Sequence, residues 1–318
     1  MSSDRAGEVA AVSRWADLDG PVHYVDHGGA ENGPLLVCAH GLGGSLLNWA
    51  ALAPLLTPTC RVIALDLAGF GHTRSGARST SVQANQQLLD RFLHDVSGSP
   101  AILVGNSMGG LISILQAYEH PRTVAGLVLI DPALPVSLTT RPNLRVAATV
   151  AAYTIPAVGR AVLARRRSTM SAAESVHDLL ALVAEDPSRI AVDIVDQLVA
   201  LATERRSYSD VDDEFLTAVR SLMFVLADRG AYSRMQRSIG APVLLLHGER
   251  DRLVPIAAAR SAASANPTWQ FEEAAGVGHV PQLEVPEWTA NHIRAWLAAH
   301  PGATASAALA RPAEPVAQ

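Results

Sequence analysis

The chain has 318 residues, 49% of them hydrophobic, and a formal net charge of −5. That is enough length and apolar content for one large α/β domain, or for a core domain carrying an insertion. No basic stretch is long enough to track phosphates, which argues against nucleic acid as a partner.

Two cysteines make no disulfide framework. Cys38 lies inside an apolar run and Cys60 just ahead of the next one. A reduced, cytoplasmic setting is the expectation, with a Cys38–Cys60 bridge left open. The opening Met1-Ser2-Ser3-Asp4-Arg5 lacks the apolar stretch of a secretory signal.

Residues 9–15 and 22–25 flank Asp19-Gly20, turn chemistry that predicts a β-hairpin. After Gly28-Gly29, apolar runs at 35–39, 61–67, 101–104 and 127–130 are continuous rather than alternating. Strands buried on both faces read this way. Helical patterns fall between them at 86–96, behind a capping-box-like Thr80-Ser81-Val82-Gln83, and at 108–120. The alternation predicts an α/β fold with a doubly wound, mostly parallel sheet.

From about 135 to 238 no strand-like run occurs, and Ala, Leu, Val and Arg recur at helical spacing, as in Asp193-Ile194-Val195-Asp196-Gln197-Leu198-Val199. This segment is expected to be an inserted all-helical lid; its apolar 146–159 stretch, with Val150 and Ile155, packs on the core in the first reading and lines an acyl pocket in the alternative. Its most apolar part, 146–159, is about 14 residues long and broken by Pro156. A membrane span needs about 20, so no stable span is expected. Strand patterns resume at 243–247 and 269–273, and 286–299 closes as an amphipathic helix. Residues 301–318 are Ala- and Pro-rich, and disorder is expected there. The expected division is therefore a core of 1–134 and 239–300, a lid of 135–238 and a tail.

The chemistry centres on Gly105-Asn106-Ser107-Met108-Gly109, between a strand and a helix. A sharp turn there lifts the Ser107 hydroxyl clear of the backbone, and flanking glycines avoid collision. The helix N-terminus beneath favours developing negative charge. A serine hydroxyl needs a base. His279, framed by Gly276 and Gly278 after the last strand, is the candidate. The base needs an acid to fix its tautomer. Asp251 follows a strand and is the favoured acid; Asp131, after the 127–130 run, is a rival, and Glu249 a weaker one. The order Ser107, Asp251, His279 is the one an α/β-hydrolase arrangement requires. His40-Gly41-Leu42-Gly43-Gly44-Ser45 follows another buried strand. Backbone N–H groups of Leu42 and Met108 form the natural oxyanion pair, and His40 is expected to brace the loop. No cofactor is implied. His23 and His27 lie four apart around a strand end and do not share a helical face, so no metal site is expected. Arg165-Arg166-Arg167 reads as a solvated helix face in preference to a carboxylate site.

Together, His40-Gly41, Asp66-Leu67-Ala68-Gly69-Phe70-Gly71, Gly105 to Gly109, His247-Gly248 with Asp251, and Gly278-His279 make the chain resemble an α/β-hydrolase of the lidded esterase and carbon–carbon hydrolase group. The resemblance covers about residues 20–135 and 240–298. It implies a cofactor-free serine hydrolase that acts on a small, apolar acyl substrate through an acyl-enzyme. Epoxide hydrolases and haloalkane dehalogenases place Asp where this chain has Ser107, which sets those activities aside. The Gly-Asn-Ser start resembles hydrolases of ring-fission products, which usually carry a tryptophan shortly after the histidine; this chain has Val280-Pro281-Gln282. Carboxylic ester hydrolysis is therefore the first reading. Carbon–carbon hydrolysis of vinylogous diketone acids and a non-turnover ligand receptor on the same fold are the alternatives.

Overall fold

The computed structural model describes residues 11–30, 32–98, 100–136 and 143–308. Eight strands form one sheet: β1 (Val12–Asp17), β2 (Pro21–Gly29), β3 (Leu35–Ala39), β4 (Arg61–Leu65), β5 (Ala101–Asn106), β6 (Val124–Ile130), β7 (Val243–Gly248) and β8 (Gln270–Ala274). Their order across the sheet is β1-β2-β4-β3-β5-β6-β7-β8. β2 runs antiparallel to both β1 and β4, and every other neighbour is parallel. The β1–β2 connection carries Asp19 at φ 57 and Gly20 at φ 116, the left-handed backbone that the hairpin turn requires.

The continuous apolar runs are strands buried on both faces. Leu35, Val37 and Ala39 point into one core cluster, while Leu36 and Cys38 point into the other. Leu127 and Leu129 alternate with Val128 and Ile130 in the same way. Both cysteines are buried and unbridged.

Outside the helical insertion lie α1 (Ala53–Leu56), α2 (Val82–Phe92) and α3 (Met108–Glu119). Ser81, one residue later than the expected cap, accepts from the Ala84 N–H and starts α2. Among the described residues between β6 and β7 the regular elements are helices, as expected: α4 (Leu144–Thr154), α5 (Pro156–Thr169), α6 (Ala172–Val183), α7 (Val192–Arg205), α8 (Val211–Ala227) and α9 (Arg229–Ser238), with a short 3-10 turn at Pro187–Arg189. After β7 follow α10 (Ile256–Ala265), α11 (Pro281–Glu284), α12 (Pro286–Ala299) and α13 (Pro301–Ala308). Among the described residues, no single helix is long and apolar enough to cross a membrane. The 146–159 stretch divides between α4 and α5, which bend by 116° at the break before Pro156.

One expectation is corrected. Residues 301–308, read as the start of a disordered tail, form α13, with Ala303 and Ala307 buried on one side. Alanine has the highest intrinsic helix propensity, and i, i+4 spacing puts both methyls on one face. Residues 309–318 lie outside the described residues.

The strand order reverses at β3. From β3 the chain goes to β4 on one side, and then back to β5 on the other. In open α/β sheets such a switch point leaves a crevice beyond the carboxyl ends of the two strands. The loop 40–45 after β3 and the turn at Ser107 after β5 meet there.

Candidate active site

Ser107 has φ 53 and ψ −115, a strained conformation for a residue with a side chain, and stands at the N-terminus of α3. The strain persists because the flanking backbone is over-determined. A Cβ on Gly105 would meet the Gly109 carbonyl oxygen at 2.5 Å, and one on Gly109 would meet the Ala39 carbonyl oxygen at 2.1 Å. α3 thus begins pressed against the end of β3, which only glycine allows. The first intrahelical bond runs from Leu111 N–H to the Ser107 carbonyl at 3.1 Å. Among the described residues the N–H groups of Met108 and Leu42 donate to no protein acceptor. A Cβ on Gly41 would lie 3.1 Å from Ser107 Cβ, which puts the Leu42 loop beside the serine.

His40 holds that loop. Its Nδ1 donates to the Gly41 carbonyl at 2.7 Å and its Nε2 accepts from Leu67 N–H at 3.1 Å. Burial lowers its pKa, so the ring stays neutral with both nitrogens committed.

His279 and Asp251 are joined. His279 Nδ1 lies 2.6 Å from Asp251 Oδ2, both side chains being buried. Asp251 Oδ1 accepts from Leu253 N–H at 2.7 Å and Val254 N–H at 3.0 Å. Burial alone would raise the Asp251 pKa. The attraction and hydrogen bond of the His279 imidazole, helped by His247 and the Val254 N–H, outweigh it and hold the carboxyl below the usual value. An ionised acid fixes Nδ1–H on the imidazole and leaves Nε2 as a lone pair. Asn106 Nδ2 donates to the carbonyls of Ile130 (3.0 Å) and His279 (3.1 Å), so the residue before Ser107 is tied to the histidine. Among the described residues the Ser107 hydroxyl itself has no hydrogen-bond partner; the link between the two runs from the Asn106 side chain to the His279 carbonyl.

Neither rival acid pairs with His279. Glu249 turns outward and accepts from Gly276 N–H at 3.0 Å. Asp131 stands behind Asp251 with no exposed surface, at φ 43, accepting from Gly248 N–H at 2.9 Å. Burial first, and the Asp251 charge second, push its pKa well above the usual carboxylate range. Asp131 is therefore protonated where Asp251 is ionised, the arrangement that two close buried carboxyls require.

Sequence reasoning gave no role to two residues that the structure places at the site. His247 Nε2 donates to the Val254 carbonyl at 2.8 Å, and lies 3.4 Å from Asp251 Oδ2 and 3.5 Å from Asp131 Oδ1. Burial lowers its pKa and keeps it neutral. Asp131, His247 and Asp251 put one ligand-type atom each within 4.8 Å of one another. His279, Val254 and Gly248 already engage atoms of this group. Glu284 is buried and accepts from the N–H groups of Gly278 (2.9 Å), Glu185 and Asp186 (3.1 Å each). It clamps the His279 loop to the insertion, where His279 N–H also donates to the Val183 carbonyl at 2.6 Å.

Val150, on α4, is half-buried. Ile155 is 54% exposed, because it lies at the α4–α5 break. The apolar group packed on the 40–45 loop is Phe215 with Tyr153 and Leu216, in contact with Leu42. Phe215 Cε2 stands 3.3 Å from the Cβ position on Gly43. Of the three lid arginines, Arg166 pairs with Asp178 and Arg167 with Asp212 on the insertion's own surface.

A family profile described as alpha/beta hydrolase fold matches residues 34–286. The chain belongs to the alpha/beta hydrolase fold family. The pimeloyl-[acyl-carrier protein] methyl ester esterase of Aromatoleum aromaticum is 30% identical over 264 residues, which cover 80% of this hydrolase and 95% of the esterase. The dihydrolipoyllysine-residue acetyltransferase component of the acetoin cleaving system from Cupriavidus necator is 28% identical over 308 residues, covering 94% of this chain and 72% of that one. The corresponding Pseudomonas putida component is 27% identical, and the chain spans 65% of its length. Among solved structures, a membrane phospholipase A superposes with a TM-score of 0.70 at 26% identity, covering 92% of this hydrolase and 87% of that chain. A thermophilic esterase from Thermogutta terrifontis has the same fold, with a TM-score of 0.64 at 21% identity, covering 92% and 99%.

The Asp131 proton gives a stability test. A carboxyl whose pKa is raised by folding favours the native state below the unfolded value, near 4, and loses that contribution as pH rises through the folded value. Asp131→Asn keeps shape and a donor without the titration. Its melting temperature relative to the parent should therefore increase from pH 5 to pH 8. A difference that is flat with pH would show that Asp131 is ionised in the fold.

Proposed function

We propose that the chain is a serine hydrolase of carboxylic esters, or related acyl compounds, with Ser107 as nucleophile. The observation that carries the reading is the Asp251–His279 pair at 2.6 Å, tied through Asn106 to a serine held at φ 53. Ser107 Oγ attacks the carbonyl as His279 Nε2 takes its proton, over a bond that closes when substrate arrives. Asp251 keeps the imidazole in the Nδ1–H tautomer and steadies the imidazolium. The N–H groups of Leu42 and Met108 receive the oxyanion, with α3's N-terminal dipole beneath. His279 then protonates the leaving alcohol, and water releases the acyl group by the same steps in reverse. The likeness to a methyl ester esterase favours an ester over a carbon–carbon bond.

The helical insertion roofs the crevice in this reading, with Phe215 and Tyr153 as its wall toward the 40–45 loop. A fluorophosphonate should label Ser107 in the parent, and Ser107→Ala should lose ester turnover; full turnover in Ser107→Ala would overturn the assignment.

An apolar wall implies chain-length selection. Each buried methylene contributes roughly 0.8 kcal/mol, about a four-fold effect. On p-nitrophenyl esters, kcat/KM should rise several-fold per acyl carbon until the pocket fills, and Phe215→Asp should flatten the rise. A flat profile in the parent would mean that the insertion forms no acyl pocket.

A further inference from the structure

A second serine, histidine and aspartate meet across β1, β2 and the end of β4. Asp66 follows β4 and has no exposed surface. Its carboxylate accepts from Leu46 N–H (2.7 Å), His72 N–H (3.0 Å) and His23 Nδ1 (2.7 Å). An acceptor of that kind places the proton of a neutral His23 ring on Nδ1 and leaves Nε2 with a lone pair. Ser13 Oγ lies 2.8 Å from that Nε2, and with the ring in this tautomer its hydroxyl donates to the imidazole. This is the direction in which a general base receives a serine proton.

The surroundings fix the ring. His23 is 5% exposed, and its backbone N–H donates to Thr73 Oγ1 at 2.9 Å. The Trp15 ring lies tilted at 5.0 Å and the His72 ring edge-on at 5.0 Å. Ser13 is exposed on β1, the strand at the sheet's edge. Trp15 is two residues further along, on the same face of the strand, and is 55% exposed. An apolar aromatic surface therefore stands beside an oriented hydroxyl.

We propose that Ser13, His23 and Asp66 form a second acyl-accepting site, which takes the acyl group of activated aryl esters whose ring lies against Trp15. Ser13 Oγ bonds to the carbonyl carbon and the carbonyl–O(aryl) bond breaks. The hydroxyl proton passes to His23 Nε2 and from there to the leaving phenolate. No other reactant is needed, and the site does not depend on the role of Ser107.

The test uses p-nitrophenyl acetate on the full chain, followed by trypsin and mass spectrometry. Cleavage after Arg5 and Arg14 releases residues 6–14, in which Ser13 is the only hydroxyl. In Ser107→Ala this peptide should carry an acetyl group, and adding His23→Gln should lower the yield at least ten-fold. An unmodified peptide in Ser107→Ala overturns the proposal without recourse to the second variant. Equal acetylation with and without His23 also overturns it, because the hydroxyl would then react unaided. Acetylation of Ser107 in the parent is read from a separate peptide, so failure at one serine is distinguishable from failure at the other.

Discussion

Behind His279 the Asp131–Asp251 pair shares one negative charge. Asp131 and Asp251 are both sealed from water, and the groups beside them that can become cationic are His247 and His279. Removing a carboxylate from water costs several kcal/mol unless fixed donors replace the hydration. Asp251 has three such donors, two backbone N–H groups and the imidazole, whereas Asp131 has the single N–H of Gly248. The charge settles on Asp251 and a proton on Asp131. Everything attributed to His279 follows from that division: its tautomer, the direction of its free lone pair and the counter-charge for an imidazolium.

The sheet brings this pair to the serine. β3 and β5 are neighbours because the winding reverses between them, so the His40 loop and the Ser107 turn share one crevice. Glycine at 105 and 109 lets α3 start against β3, and that close packing sustains the strained φ of Ser107. The insertion is tied to the same edge by short polar contacts. Glu284 spans the His279 loop and residues 185–186, and Arg205 donates to the carbonyls of Gly69 (2.6 Å) and Gly71 (2.5 Å). The insertion, anchored through a buried carboxylate and an arginine fork, is held in position relative to the histidine. This suits a pocket shaped before the substrate arrives.

Much of this was legible in the sequence. Continuous apolar runs located β3 and β7 within a residue, because strands buried on both faces tolerate nothing else. β6 began three residues earlier than its apolar run, since Val124-Ala125-Gly126 carries too little bulk to register. α13 escaped because alanine contributes helix propensity without a hydrophobic signature. At the site, motif order pointed to Ser107, Asp251 and His279, and geometry then joined Asp251, not Asp131 or Glu249, to the histidine. The parts that stayed hidden are contacts between residues far apart in the chain. The partners of Glu284 at 185–186, the Phe215 contact with the 40–45 loop and the Ser13–His23–Asp66 relay depend on three-dimensional placement, which no local pattern encodes.

The central claim is that an ionised Asp251, with a protonated Asp131 behind it, orients His279 for work on Ser107. The most direct measurement is kcat on a single p-nitrophenyl ester for Asp251→Asn and Asp131→Asn beside the parent, with folding checked by circular dichroism. Asp251→Asn should lower kcat by about 10⁴-fold, the loss expected when the imidazole is held in the wrong tautomer. Asp131→Asn, which resembles the protonated acid it replaces, should stay within a few-fold of the parent. A severe loss in Asp131→Asn alongside a mild one in Asp251→Asn would contradict the account and make Asp131 the acid.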